Sequence, residues 1–267
     1  MAGEDAAPDF LTVKISYSIK LLFAVAVTVA ASSVLAQTTI KPDGQWRGAI
    51  AAGLSLVGGN TSSKLLNING DAVKATATDK WNIYGSQIYG KSGDSATANL
   101  LNLGARFNQD LNVQYFWFGQ GDLTRNKLAN LSLRTAIAGG VGYHVIKSDP
   151  TTFDVFVGLG YANDRYINAT VVADQTRSSY SRLEILLGEE STHKLSPTTQ
   201  FKQRLVIYPN LSDRGEYRTA FDAGLSVAMS GSLSLQTTLG LRVNSDPGTG
   251  LKKTDTLLFT GITYKYE

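Results

Sequence analysis

From about residue 45 to the C-terminus, the sequence alternates apolar and polar residues with a period of two. In the first such segment, Ile50 and Leu54 share one face, while Arg47 and Gly53 share the other. This alternation is typical of β-strands whose two faces meet different surroundings, and no segment keeps a helical period. The alternating segments lie near 45–57, 64–76, 80–91, 97–108, 111–121, 130–146, 152–162, 180–190, 198–208, 216–229, 232–243 and 255–266. The sequence therefore predicts an all-β protein.

The lengths of the segments and of their connections indicate a membrane barrel. Most segments have about eleven to fourteen residues, whereas strands of soluble sheets usually have about 5–6 and membrane-crossing strands need about 9–11. Even-numbered connections are short, such as 77–79 and 109–110, and odd-numbered ones include longer stretches, such as 162–179 and 244–254. Short turns at one end and longer loops at the other are typical of outer-membrane barrels. We expect a single antiparallel transmembrane β-barrel of about 12 strands, with residues 162–179 as a loop long enough to constrict its opening.

A soluble sandwich or lipocalin-like barrel would show the same alternation, with its apolar face buried. Two features favour the membrane barrel, whose apolar faces contact outer-membrane lipids. The polar faces carry many small residues, too many to fill a soluble core. Aromatic residues lie near segment ends, as in interfacial girdles. They are Trp46, Trp81, Tyr89, Tyr143, Tyr161, Tyr208, Tyr217, Tyr264 and Tyr266.

The two ends of the chain predict export and insertion. An apolar run at residues 21–31 is too short for a membrane helix, which needs about 20 residues. Val34-Leu35-Ala36 follows it and suits signal peptidase. We predict a signal peptide over 1–36, a mature barrel over 37–267 and delivery to the bacterial outer membrane. The last alternating strand resembles the signal read by the barrel-insertion machinery, although a glutamate stands in place of a terminal Phe or Trp.

With the apolar faces toward lipid, the polar faces line the lumen, and there basic residues outnumber acidic ones. The candidate lumen-lining residues are Arg47, Arg106, Arg134, Arg204, Arg218 and Arg242. Further bases on these faces are Arg182, Lys202 and Lys265, and the acids are Asp71, Asp154, Glu184, Glu190 and Asp222. The basic excess would favour small anionic solutes. The alternative is a network of ion pairs that props the barrel open or fills it, since an intramembrane charge must pair or face water.

The sequence carries no motif for catalysis or metal binding. It has no cysteine, which excludes disulfides, thiolate metal sites and a thiol nucleophile, and a net charge of only +3 gives no reason to expect nucleic acid as a partner. His144 and His193 accompany neither a Gly-x-Ser-x-Gly elbow nor a His-Glu-x-x-His motif. Glu189 and Glu190 are neighbours on one strand and should point to opposite faces. We expect no catalytic residues, no metal and no cofactor.

Several short motifs resemble those of one known family. Trp46-x-Gly48, followed by Gly58-Gly59-Asn60-Thr61-Ser62, is similar to the opening of the YdiY-like family of salt-induced outer-membrane proteins. Residues 140–143, 158–161 and 253–256 resemble its later segments, so the likeness covers essentially the whole mature chain. The resemblance implies a single barrel with a role in the cell envelope. It assigns no catalytic residues, because the function of that family is unknown.

Three functional hypotheses follow from the sequence. The leading one is a small porin-like channel or solute-binding envelope protein with a mildly basic lumen, not an enzyme and monomeric, because closure leaves no free sheet edge. The second is a structural or stress-related barrel with a plugged lumen. The third is a membrane-embedded lipid-modifying enzyme, which would need a serine or aspartate beside His144 at a lipid-facing opening. A continuous water path would favour the first, and a lumen closed by arginine–carboxylate pairs the second.

Overall fold

The structure, a computed structural model, describes residues 38, 40–57 and 63–266. In this part of the chain, twelve strands form one closed antiparallel sheet in which sequence neighbours pair and β1 pairs with β12. The strands are β1 (Trp46–Val57), β2 (Ser63–Ala75), β3 (Asp79–Ser92), β4 (Ser95–Asp110), β5 (Tyr115–Asn126), β6 (Leu131–Lys147), β7 (Thr151–Val172), β8 (Gln175–Lys194), β9 (Thr199–Pro209), β10 (Tyr217–Ala228), β11 (Leu233–Asn244) and β12 (Thr254–Tyr266). The predicted fold class is confirmed. The predicted signal peptide lies outside the described residues.

Each strand turns its apolar face outward, as the alternation predicts. On β1, Arg47 and Ala51 are buried inside the barrel, whereas Ile50 and Leu54 are 54% and 65% exposed on the outside. Ile137 on β6 and Leu258 on β12 are exposed in the same way. An apolar exterior around a closed sheet is suited to lipid and would be unusual in water. The described residues include no helix that is both long and apolar enough to cross a membrane.

Most of the predicted girdle residues lie outside. Two groups of aromatic rings lie at the strand ends near the short even-numbered turns, and one of them is the pair Tyr115 and Tyr143, with ring centroids 5.1 Å apart. We call the end with these turns the turn end of the barrel and the opposite end the loop end. Trp81, Phe107 and Trp117 contact one another in series, with ring centroids 4.7 and 5.3 Å apart. Tyr208 is wrongly assigned to the girdle, because its ring lies inside the barrel with the Arg218 guanidinium carbon 4.9 Å from its centroid.

The connection predicted as a loop over residues 162–179 is instead a β-hairpin. β7 continues to Val172 and β8 starts at Gln175, and the two turn residues between them both have positive φ, as tight hairpin turns require. The tip lies against the β11–β12 connection, where the backbone N–H of Ala173 donates to Asp246 Oδ2 at 2.8 Å. The alternation becomes irregular after residue 162 because both faces of this extension mix polar and apolar residues.

Two apolar clusters fill part of the interior, so the lumen is less polar than predicted. One cluster comprises Ala51, Ile88, Ala98, Leu100, Leu257 and Phe259. The other comprises Phe116, Phe118, Phe156, Leu186 and Val206. Leu131 also points inward, although the alternation placed it on the lipid face, because the register shifts between Leu131 and Leu133 where β6 pairs with β7.

Candidate functional site: the interior cavity

The barrel encloses a cavity of about 1100 Å³, lined mainly by β3 to β11, with Leu65 of β2 and Asp255 of β12 at its edges. Its lining includes residues of the β5–β6 and β11–β12 connections, so it reaches the loop end. Toward the turn end it stops at Lys80, Arg106, Asn108, Glu190 and Arg204, which we call the cavity floor. The cavity is therefore a well that opens between the loops.

Two different surfaces line this well. The amide wall, on β3, β4 and β5, consists of Asn82, Asn102, Asn108, Gln120 and Asn126. The apolar strip, on β6 to β10, consists of Ala136, Ala138, Gly160, Leu186, Val206 and Ala220. Because most residues of the strip are small, space remains in front of it. A solute in the well would meet hydrogen-bonding groups on one side and a flat apolar surface on the other.

The arginines near the loop end belong to a network of five alternating charges. Arg134 binds Asp164 through two hydrogen bonds of 2.5 Å, and Asp164 also accepts from Arg182 at 3.0 Å. Arg182 in turn donates to Glu184 at 2.5 Å, and Glu184 also accepts from Arg218 at 2.6 Å. Each carboxylate thus lies between two arginines. The sequence assigned Asp164 to a loop, which is why this pairing was not predicted.

Two more candidate arginines are paired across neighbouring strands. Arg242 on β11 donates to both carboxylate oxygens of Asp222 on β10, each at 2.8 Å. Arg204 on β9 donates to Glu190 on β8 at 2.8 Å. Fixed in these pairs, the arginines stabilise the barrel and attract a mobile anion less strongly than free arginines would.

Arg47 lies at the turn end and does not line the cavity. It makes two hydrogen bonds, of 2.6 and 2.7 Å, to Asp43 in the segment before β1. These bonds hold the pKa of the Asp43 carboxyl below its usual range. Nearby, Thr38 is buried, and its hydroxyl donates to the backbone carbonyl of Asp71, a residue whose side chain points inward from β2. Residues just before β1 thus occupy part of the turn-end opening.

Arg106 differs from the other five candidate arginines. It is only 7% exposed, yet in the described part of the chain no carboxylate lies within ion-pair distance of it. Its guanidinium donates to Asn108 Oδ1 at 2.8 Å and to Gln120 Oε1 at 3.3 Å. Its guanidinium carbon also lies 4.3 Å from the ring centroid of Phe118 and 4.6 Å from that of Phe156. The positive charge therefore meets neutral amides and aromatic faces.

The cavity floor has more positive than negative groups. Lys80, which also lines it, has no ion pair among the described residues. One carboxylate, Glu190, lies among four basic side chains. The cations that act electrostatically on Glu190 are Arg204, Lys80, Arg106 and Lys202. An added anion would thus meet an excess of positive groups at the floor.

The histidines do not form a hydrolytic site in the described residues. His144 lies inside the barrel near the turn end, with Nδ1 2.7 Å from Asp154 Oδ1 and Nε2 3.1 Å from Asp110 Oδ1. Both ring nitrogens are therefore engaged by carboxylates, and no serine hydroxyl is within reach of them there. Near the turn end, His193 Nε2 lies 3.2 Å from Ser191 Oγ, without a carboxylate to complete a triad.

The two neighbouring glutamates point to opposite faces, as predicted. Glu190 binds Arg204 inside the barrel, and Glu189 accepts hydrogen bonds from Gln203 on the other face. They cannot act together on one substrate atom. The described residues contain no group of three or more His, Asp or Glu side chains that could hold a metal ion.

The closed sheet of twelve strands and its apolar exterior define the class of this protein, a β-barrel of the outer-membrane type. The chain belongs to DUF481, a protein family of unknown function, whose family model matches residues 50–266. This membership is consistent with the resemblance to the YdiY-like proteins. A search of curated protein sequences found no significant match.

Solved structures similar to this chain are also barrels. A NanC porin is 10% identical, with a TM-score of 0.46 and coverage of 83% of this chain and 100% of that one. An outer-membrane channel from Pseudomonas putida F1 is 14% identical, with a TM-score of 0.45 and coverage of 85% and 96%. The translocator domain of the autotransporter NalP from Neisseria meningitidis is 12% identical, with a TM-score of 0.44 and coverage of 83% and 87%. These proteins share a barrel but not one described activity.

Proposed function

We propose that the protein is a monomeric, non-enzymatic outer-membrane channel that binds and passes small solutes with a modest preference for anions. The observation that carries this proposal is the well of about 1100 Å³, which opens between the loops and ends on a positively charged floor. A barrel of twelve strands is between those whose side chains fill the interior and those that leave a wide aqueous channel. A narrow conduit is therefore the expected product of this geometry.

The preference for anions should be weak, because the interior contains more carboxylates than the sequence suggested. Five of the six candidate arginines are in ion pairs. Among the described residues, Arg106 and Lys80 add positive charge without an ion pair at the floor of the well, and Lys252 and Lys253 add more at its loop end. Their influence on mobile ions should fall as salt is added, with a screening length of about 8 Å at physiological ionic strength.

The test is planar-bilayer conductance of refolded protein comprising residues 37–267. We expect small conductance, a reversal potential in a salt gradient that indicates anion preference, and loss of that preference in Lys80→Glu. Lys64→Glu is the matched control, because Lys64 is an exposed β2 residue outside the cavity lining. Cation preference in the unaltered protein would contradict the proposal.

The second candidate function is a structural barrel with a plugged lumen. It is favoured by the five-charge network, by the apolar cluster around Phe259, and by Thr38 inside the turn-end opening. If neither the full protein nor a variant lacking residues 37–44 conducts, the structural role becomes the better account. Conductance that appears only after this deletion would instead indicate that the segment before β1 closes the channel.

Export to the outer membrane is part of the same proposal. The apolar run and Val34-Leu35-Ala36 support cleavage before Gln37, and the lipid-facing exterior supports insertion by the barrel-insertion machinery. Fractionation of the native host, followed by N-terminal sequencing, should find the chain in outer membranes with Gln37 as its first residue. Retention of residues 1–36 in the membrane-extracted protein would contradict the cleavage prediction.

A further inference from the structure

Arg106 is a buried cation that has no ion pair among the described residues. Charged side chains that are removed from water are normally paired, since an isolated buried ion is unfavourable. Arg134, Arg204, Arg218 and Arg242 follow this rule inside the barrel. Arg106 does not, although it is more buried than they are. It lines the cavity, so the missing partner can be a molecule that enters the well.

The surroundings of Arg106 limit the charge of that molecule. Lys80 and Arg204 add positive charge at the same level, and Glu190 offsets part of it. Asp122, just above the floor, receives hydrogen bonds from the Tyr84 hydroxyl at 2.5 Å and from Gln120 at 3.1 Å, so neutral donors already occupy its oxygens. These two carboxylates offset part of the positive charge around Arg106. A singly charged anion is therefore enough to pair with the Arg106 guanidinium, whose hydrogen bonds go to neutral amides.

The shape of the site limits the rest of the molecule. A guanidinium offers parallel N–H groups that match the two oxygens of a carboxylate. Above the floor, the well continues between the amide wall and the apolar strip toward the loops. A ligand held at Arg106 by its anionic end would have to place its remaining atoms there. An organic body can use that space, and a bare inorganic ion cannot.

We propose, building on the channel function above, that the cavity floor is a binding site for the carboxylate of small organic monocarboxylates. Arg106 binds the carboxylate, Lys80 adds long-range attraction, and the organic body lies between the amide wall and the apolar strip. Apolar and hydroxylated carboxylates share this recognition chemistry. They differ in which surface of the well would hold the body.

The site can be tested by isothermal titration calorimetry on the refolded protein in detergent. The probes are benzoate and gluconate as the two kinds of carboxylate, inorganic phosphate as the bare anion, and benzyl alcohol as the uncharged analogue of benzoate. We expect at least one carboxylate to bind at least tenfold more tightly than phosphate and benzyl alcohol. Arg106→Gln should weaken that binding about tenfold or more, because it removes the charge-assisted hydrogen bonds to the carboxylate.

Matched variants distinguish specific binding at the cavity floor from a general effect of positive charge inside the barrel. Lys80→Gln should weaken binding several-fold, and Arg47→Gln, which removes an interior arginine outside the cavity, should change it less than twofold. Arg106→Lys keeps the charge without the paired N–H groups and should bind more weakly than the unaltered protein. If Arg106→Gln does not refold, as judged by circular dichroism, Arg106→Lys and Lys80→Gln decide by the same criterion.

Three results would overturn the carboxylate site. They are equal binding of phosphate or benzyl alcohol, unchanged binding in the Arg106 and Lys80 variants, and no binding of either carboxylate. None of these would by itself remove the channel proposal, which depends on conductance. Conversely, a non-conducting barrel that still binds benzoate or gluconate through Arg106 would retain the site and lose the channel.

Discussion

Arginines on the two sides of the barrel interior have different partners. The residue directly opposite each arginine on the neighbouring strand accounts for the difference. On the side of β6 to β10, Arg134 is opposite Asp164, and Arg204 has Glu190 on one side and Asp222 on the other. On the side of β3 to β5, Arg106 is opposite Asn82 and Gln120, which are amides.

Cross-strand neighbours on one face lie about 4.5–5.5 Å apart at their Cβ atoms, close enough for direct side-chain pairing. An arginine opposite a carboxylate is therefore fixed as part of the barrel. An arginine opposite amides keeps hydrogen bonds but not a counter-charge. We call the paired arginines and carboxylates of β6 to β11 the charged wall. This wall mainly maintains the barrel, while the amide wall is available for a solute.

The largest effect should come from breaking the charged wall at Glu184, which accepts hydrogen bonds from two arginines and whose side chain is only 4% exposed. Removing one member of a buried ion pair costs about 3–5 kcal/mol, because the partner remains buried without its counter-charge. We expect Glu184→Gln to lower the free energy of unfolding by about this amount in urea titrations of the refolded barrel. Glu189→Gln, on the other face of the same strand, should cost less than about 1 kcal/mol. Equal losses would mean that the network contributes nothing specific.

A somewhat smaller loss of stability is expected when a charged residue is placed on the lipid-facing surface of the barrel. Ile137 is 61% exposed on the lipid face, and arginine near the membrane midplane of a barrel costs about 2–4 kcal/mol. Ile137→Arg should therefore destabilise the refolded protein in lipid vesicles, whereas Ala136→Arg, facing the cavity, should cost less. Gly140 is unsuitable for this comparison, because a Cβ there would lie 2.1 Å from the Val157 carbonyl oxygen. Equal costs at 136 and 137 would contradict the assignment of the faces.

The sequence predicted the number of strands, their faces and most of their limits, because lipid on one side and a polar interior on the other impose a strict period of two. β5 is an exception, since the structure starts it at Tyr115 and the alternation suggested residue 111. The β7–β8 hairpin was missed for the physical reason that it extends beyond the lipid. A strand with water on both sides has no need to alternate.

The candidate site could be predicted only in part. The alternation gave the face on which each candidate arginine lies, but pairing depends on the stagger between strands, which no single segment reveals. Arg218 on β10 reaches Glu184 on β8 across the intervening strand, so even the order of the strands does not indicate this pair. Asp122 and Asp164 were assigned to loops, and the basic excess was therefore overestimated. The isolation of Arg106 follows from its amide neighbours, which become visible only with the register.

A smaller effect on stability is expected from a change of pH at the loop end of the charged wall, where Glu216, Asp213 and Asp246 lie near Asn210. Burial raises the pKa of Glu216, with further contributions from Asp246 and Asp213, against a hydrogen bond from Asn210 of 2.9 Å. A carboxyl whose pKa is raised by folding stabilises the fold below its unfolded pKa, and this stabilisation is lost as the pH rises through the folded pKa.

Hydrogen exchange can detect this loss locally. Protection of the backbone amides of residues 210–216 should fall between pH 4 and pH 7 after correction for intrinsic exchange. The change should be confined to this segment, because only a group whose pKa differs between the folded and unfolded states makes stability depend on pH. Glu216→Gln keeps an acceptor for Asn210 but cannot titrate, so the pH dependence should disappear. The same dependence in this variant would assign the effect to another group.

Arg106→Met, measured without added carboxylate, should change the free energy of unfolding least. This small change would distinguish the amide wall from the charged wall most clearly. The substitution loses two hydrogen bonds to amides and two contacts with aromatic faces, and it also removes the cost of burying an unpaired charge. Replacing buried charge with an apolar side chain of similar size is often neutral or stabilising. We expect the free energy of unfolding to change by less than about 1 kcal/mol.

Arg204→Met, which leaves Glu190 without its donor, should cost several times more, and Arg204→Met combined with Glu190→Gln should recover part of the loss. If Arg106→Met were as destabilising as Arg204→Met, Arg106 would be a structural residue like the paired arginines, and its position at the cavity floor would need no ligand to explain it.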